Sequence, residues 1–348
     1  MVQQLHHQSL RRAARAPINE PEKPFMSRTT QEQVVHFLSD LYSVEQQALA
    51  QLNTAPQYAG DPGLEVAYRE HLIETEAQSA SVGERLEALG GSASKVKDAI
   101  MRAGGKGFLL FARLMPETPG RLLTHSYSYE AMEWAGYEIL IRFARHAGDD
   151  ETVQVAQSIQ AQERAMMHRL EAGFDAAEKA SHAALSSEEQ HQHVRRHLAE
   201  VHAFEKQGSE LLEKSKTLAA DAAVAEYYHH AQAVIRRHAQ MVETRLKQLE
   251  SGPSMFEDQS LRGAALNWSL FFQAQSDTPA KLAAFVYAVL HLQIGGVELL
   301  KRTANRTGDI NTRELCEVIL SELQGLAERL VEQFETTVEA TLHTVSAH

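Results

Sequence analysis

The chain has 348 residues, a net charge of −12 at neutral pH with histidines uncharged, and a single cysteine, Cys316. That length admits two or three domains, the acidity argues against nucleic acid as a partner, and the lone cysteine excludes an internal disulfide framework and suits a reducing, cytoplasmic setting. No apolar run approaches the ~18–20 residues of a membrane span, and residues 1–26 lack the apolar core of a secretory signal, so neither membrane insertion nor export is expected.

In chain order, residues 1–26 carry Arg11, Arg12, Arg15, Pro17, Pro21 and Pro24 and read as a solvated, flexible tail. Beyond them Ala, Leu, Glu, Gln and Arg dominate long segments nearly free of Pro and Gly, and β-branched alternation is absent, which predicts an all-α chain. A first helix is expected from about Thr30 to Leu52, N-capped by Thr29 or Thr30 and broken by Asn53-Thr54-Ala55-Pro56. A second runs from about Pro62 to Leu89 and stops at Gly90-Gly91. A crossover over Ser92–Pro119 holds a short helix at 94–103. A third long helix spans about Gly120 to His146, and a fourth follows Asp149-Asp150 to about Lys179, with 180–187 as a linker. Four long helices with one long crossover between the second and third is the ferritin-like connectivity among helical bundles.

The same pattern returns 160 residues later without a gap. Leu38, Glu45, Gln47 and Leu52 recur as Leu198, Glu205, Gln207 and Leu212; Tyr68, Val82, Arg85 and Leu86 as Tyr228, Val242, Arg245 and Leu246. Thr118-Pro119 recurs as Thr278-Pro279, Gly136 and Glu138 as Gly296 and Glu298, Gly148-Asp149 as Gly308-Asp309, and Phe174 as Phe334. This is a tandem duplication. It divides the chain into the tail, a bundle at 27–179, the linker, and a second bundle at 188–348. Single bundles of this kind commonly pair, so the copies are expected to pack as an intrachain pseudo-dimer about an approximate two-fold axis, with further homo-oligomerisation left open.

The first copy carries acids where a core is expected. Glu45 interrupts the stripe Val34, Leu38, Leu41, Ala48, Leu52; Glu163 interrupts Val155, Ile159, Met166, Leu170; Glu130 and Glu133 precede Tyr137, Leu140 and Ala144 on the third helix. On the second helix the stripe Tyr68, Leu72, Thr75, Ser79, Val82, Leu86 is flanked by His71, Glu74 and Gln78. Burying several carboxylates together has an idealised cost on the order of 20 kcal/mol per ion and forces protonation. A pair of cations removes both penalties, and hard oxygen donors suit iron or manganese.

At FLSDLYSVEQQ (37–47), HLIETEAQ (71–78), EAMEWAGYE (130–138) and the QERA segment around Glu163, residues 30–178 resemble the YciE/YciF-type ferritin-like proteins. The resemblance implies a di-metal carboxylate bundle, more distantly related to rubrerythrin, in a bacterial, stress-linked family. Carried over residue by residue, it makes Glu45 the ligand of the first helix, Glu74 of the second, Glu130 and Glu133 the pair of the third, and Glu163 of the fourth. The expected cofactor is two iron ions, with manganese as the substitute. The expected small substrates are oxygen, peroxide or ferrous iron, in oxidase or peroxide-handling chemistry. One departure stands out. Di-iron bundles usually place a histidine three residues after the acids of the second and fourth helices, and here those positions are Ala77 and Met166, followed by Gln78 and Met167. His71 and His168 are the remaining imidazole candidates. Tyr137 is either a gate for oxidants or a core aromatic.

In the second copy the acids dissolve. Glu45 becomes Glu205, but Glu74 becomes Val234, Glu130 Leu290, Glu133 Gln293 and Glu163 Leu323. The second bundle is therefore expected to fold without the di-metal site. A smaller rival site of His202, Glu205 and His238 is weighed against this, and the histidines at 191, 193, 197, 229 and 230 are read as solvent-facing. The alternative for the whole chain is a non-catalytic helical scaffold or stress-binding protein whose acids are vestigial.

Overall fold

The computed structural model describes residues 29–92, 118–183, 185–249 and 278–346. Among them there are eight long helices and no strand: α1 Thr30–Leu52, α2 Pro62–Ala88, α3 Thr118–Ala147, α4 Asp150–His182, α5 Ser187–Ser215, α6 Ala222–Gln248, α7 Pro279–Thr307 and α8 Ile310–Ser346. The expected tail, the short helix at 94–103 and most of both crossovers lie outside the described residues.

Local chemistry sets the boundaries. Thr29 caps α1 in a reciprocal box with Glu32, and Ser186 caps α5 with Glu189 in the same way. Asp61 and Asp221 cap α2 and α6, each through two backbone amides. Gly148 and Gly308 take φ of +67° and +72°, the left-handed geometry that ends α3 and α7 without a Cβ clash. The connection between the copies is shorter than the expected 180–187. Ala180, Ser181 and His182 continue α4, and the chain restarts as a helix at Ser187.

Each copy closes a ring of four helices. In the first, α1 packs on α2 and α3, and α4 packs on α2 and α3; in the second, α5 packs on α6 and α7, and α8 on α6 and α7. The copies meet through α3 against α7, flanked by α4 against α7 and α8 against α3. The side-chain contacts come in mirrored pairs. Arg142 on α3 reaches Glu335 on α8 at 2.9 Å, and Arg302 on α7 reaches Asp175 on α4 at 2.6 Å; each residue of the second pair is the counterpart of one in the first. Arg121 pairs with Glu200, and their counterparts Lys281 and Asp40 pair likewise. That is the signature of a two-fold relation.

α7 qualifies as a membrane span by length and composition, although no uninterrupted apolar run was expected. In the structure 89% of its most apolar window is buried. It lies between its own bundle and the first copy, and a helix apolar all round is what such a central position requires.

Candidate metal centre

α1 brings Glu45 inward on the stripe formed by Val34, Leu38, Leu41 and Ala48. Gly136 on α3 permits the approach, because a Cβ there would stand 2.8 Å from Leu41 Cδ2. Glu130 and Glu133 enter from α3 and Glu163 from α4. All four are core residues, exposed by 1%, 3%, 2% and 0% for Glu45, Glu130, Glu133 and Glu163. Glu45 Oε2, Glu133 Oε1 and Glu163 Oε2 are buried without a hydrogen-bond partner. Native interiors seldom leave such atoms unsatisfied.

Glu74 stands apart from this group. It is half-exposed at the edge of α2, where its Oε2 lies 2.9 Å from His71 Nδ1 and accepts from Arg169 at 2.7 Å. The residue that α2 sends into the core is His71, 1% exposed. Its Nε2 lies 2.9 Å from Glu130 Oε2 and 3.6 Å from Glu163 Oε2. The ligand atoms of His71, Glu130 and Glu163 all fall within 4.8 Å of one another. Gln78 enters beside them and donates from Nε2 to Glu163 Oε1 at 2.6 Å. Tyr137 donates its hydroxyl to Glu45 Oε1. His168 is exposed on α4.

Burial raises Glu45 to about 8, against the opposing effects of the Tyr137 hydroxyl and His71. Glu133 and Glu163 are pushed well above the usual carboxylate range, first by burial and then by neighbouring carboxylates. Burial lowers the affinity of His71 for a proton, but Glu130, Glu74 and Glu163 together outweigh it and raise the imidazole well above its ordinary value. The centre thus holds an excess of negative charge that either protons or cations must neutralise. The donor set, mostly carboxylate oxygen with one imidazole, fits iron or manganese.

The same place in the second copy is polar but holds a single core carboxylate, and Glu205 Oε1, His238 Nδ1 and Gln293 Oε1 are buried there without a hydrogen-bond partner. Glu205, the counterpart of Glu45, accepts from Gln293 Nε2 at 3.0 Å and lies 3.7 Å from His238. His238 in turn meets Glu322 at 2.6 Å, and Glu322 meets Arg237. Leu290 and Leu323 fill the positions of Glu130 and Glu163 in the core. His202 sits at the partly exposed edge of α5.

Two corrections concern histidines. His229 and His230 are exposed as expected, but His193 and His197, read as solvent-facing, are buried at 1% and 2%. They lie with Val194, Leu198 and Val201 on the buried face of α5.

A tandem pair of four-helix bundles with a buried carboxylate–imidazole cluster in the first defines the class. Residues 29–183 and again 189–343 match a domain of unknown function, DUF892, and the chain belongs to that family, which falls within the ferritin-like superfamily. No curated protein and no solved structure matches the chain.

Proposed function

We propose that the first bundle is a di-metal carboxylate centre, with two iron ions as the resident cofactor, manganese as a substitute, and oxygen, peroxide or ferrous iron as the small substrate, as in the YciE/YciF-type proteins that residues 30–178 resemble. The observation that carries this reading is the set of buried carboxylate oxygens on Glu45, Glu133 and Glu163 that lack any hydrogen-bond partner. Glu45, Glu130, Glu133 and Glu163 hold the metals. His71 supplies the imidazole that the missing Glu-x-x-His motif does not. With its Nδ1–H donated to Glu74, the Nε2 lone pair faces Glu130 and Glu163, the arrangement in which a carboxylate fixes a ligating histidine. Glu74 then acts through His71, and Arg169 holds Glu74 in place. Bound iron would supply electron transfer to oxygen or peroxide.

Tyr137, whose hydroxyl donates to Glu45, is a redox-capable side chain in direct contact with the acids. The second bundle contributes packing to the first.

A second reading has its own support. His71 is held as a cation by Glu130, Glu74 and Glu163, and protons on Glu133 and Glu163 would neutralise the rest, leaving a metal-free scaffold. Iron analysis of protein purified without chelators, followed by a ferrous-iron oxidation assay with oxygen and with peroxide, separates the two. Stoichiometric iron and turnover support the first; a metal-free chain that takes up no added iron supports the second.

A further inference from the structure

The junction between the copies buries three histidines that the carboxylate centre does not use. His182 lies in the last turn of α4, and His193 and His197 lie one turn apart on α5. Only residues 183–186 separate the two helices. The ring centroids of His182 and His193 stand 4.6 Å apart, those of His193 and His197 5.9 Å, and those of His182 and His197 6.4 Å. One nitrogen from each ring falls within 4.8 Å of the other two.

The outer faces of two rings are occupied. His182 Nδ1 donates to the Glu178 carbonyl at 2.9 Å and lies 3.2 Å from its carboxylate. His197 Nδ1 lies 3.0 Å from Glu200 Oε2. Those bonds place the proton on Nδ1 and leave Nε2 as a lone pair. Both Nε2 atoms are buried without a hydrogen-bond partner. The carboxylates are themselves fixed, Glu178 by a two-pronged contact with Arg306 and Glu200 by Arg121. Buried histidines oriented by carboxylates and carbonyls, each bringing one nitrogen within 4.8 Å of the others, have the outer-shell arrangement of a metal site.

The duplication separates this cluster from the carboxylate centre. By the 160-residue offset, His182, His193 and His197 correspond to Leu342, Gln33 and Phe37, and Glu178 corresponds to Val338. Nothing like it stands at the equivalent place, so the cluster belongs to the junction and not to the ancestral bundle.

We infer that His182, His193 and His197 bind one divalent transition-metal ion of the zinc class, which pins the end of the first bundle to the start of the second. Three imidazole nitrogens suit zinc, copper or nickel, in contrast to the oxygen-rich centre, and zinc takes three histidines with a fourth position left for water. Zn–N bonds of about 2.0 Å bring tetrahedral nitrogens to about 3.3 Å of one another, a contraction that small rotations of the three rings supply.

The test uses the full chain stripped of metal and titrated with cobalt(II), then zinc(II). One equivalent of cobalt should bind with the visible bands of a tetrahedral nitrogen site. That signal should persist in Glu130→Ala/Glu163→Ala and vanish in His193→Gln/His197→Gln, which should keep the iron content of the carboxylate centre. An unchanged cobalt spectrum in the histidine variant overturns the assignment, as does the absence of any such signal from the wild type. If the histidine variant does not fold, X-ray absorption of the wild-type chain carrying its first equivalent of zinc decides. Three imidazole scatterers near 2.0 Å support the site, and an oxygen-dominated shell overturns it. Loss of iron binding alone bears only on the carboxylate centre, so the two proposals fail separately.

Discussion

Ser128 Oγ donates a 2.8 Å hydrogen bond to the carbonyl oxygen of Ala288, the residue 160 positions later and thus its own counterpart in the second copy. A position that touches its own counterpart lies beside the two-fold axis. The bond therefore locates the pseudo-symmetry at the middle of α3 and α7, and the mirrored pairs Arg142–Glu335 and Arg302–Asp175 frame it. A chain built this way is expected to be one compact body in solution, and small-angle scattering should return a single envelope instead of two separated lobes.

The seam should be sensitive to volume. A Cβ at Gly295 on α7 would lie 3.1 Å from Thr124 Cγ2 and 3.4 Å from Phe174 Cζ, both in the other copy, whereas one at Gly325 on α8 meets nothing within 4 Å. Gly295→Leu should destabilise by about 1–3 kcal/mol through overpacking, and Gly325→Ala should be neutral or stabilise by up to about 1 kcal/mol. Thermal or urea unfolding checks both, and equal behaviour of the two variants would count against the packed interface.

The metal-free chain should lose stability as pH rises from about 5 to 8. Glu45 moves from its ordinary 4.5 to about 8 in the folded chain, and Glu133, Glu163 and His71 move up as well. The folded state therefore binds more protons than the unfolded state in this window. A group raised in this way contributes stability that is complete below its unfolded value and is lost as pH climbs through its folded value. Acids held low by ion pairs, such as Asp149 and Glu200, lose their contribution only at lower pH. Metal displaces the same protons, so loading should strengthen with pH. Melting curves of chelator-treated protein at pH 5 and pH 8 test the sign, and greater stability at pH 8 would refute it.

Glu133→Gln should stabilise the metal-free chain. Burial and three other carboxylates raise Glu133, and an amide of the same shape removes the repulsion. A gain on the order of 1 kcal/mol is expected in the absence of metal, with reduced metal retention in its presence. A marked fall in the melting temperature of the metal-free variant would argue against a clustered centre.

Disruption of the second-copy network should leave metal content unchanged. Glu205 is already engaged by Gln293 and His238, and Leu290 and Leu323 replace the acids that a cluster needs. Glu205→Gln/His238→Leu is expected to retain the wild-type iron stoichiometry. Halved iron content would place a second centre in that bundle.

The fold was legible because three independent signals agreed: the 160-residue offset, the cap at Thr29 or Thr30, and the Gly-Asp breaks at 148–149 and 308–309. The acids of α1, α3 and α4 were legible because each interrupts an apolar stripe at helical spacing. α2 was harder, since its face is built from small and polar residues. The register that includes Leu72 leaves His71 and Glu74 together on an edge. The register Leu64, Tyr68, His71, Thr75, Gln78, Val82 fits the 3–4 spacing equally well and is the face that the structure buries. The junction histidines escaped for a different reason. His193 and His197 sit among arginines, glutamines and acids, and their burial depends on the helix end that delivers His182, a tertiary fact with no local trace.

The central claim rests on metal, and elemental analysis of the full-length chain expressed in iron-supplemented medium and purified without chelators addresses it most directly. The account predicts about two iron or manganese ions per chain, both lost in Glu130→Ala/Glu163→Ala while the variant stays folded by circular dichroism. Equal metal content in wild type and in that variant, or a wild-type chain that holds neither ion, would contradict it.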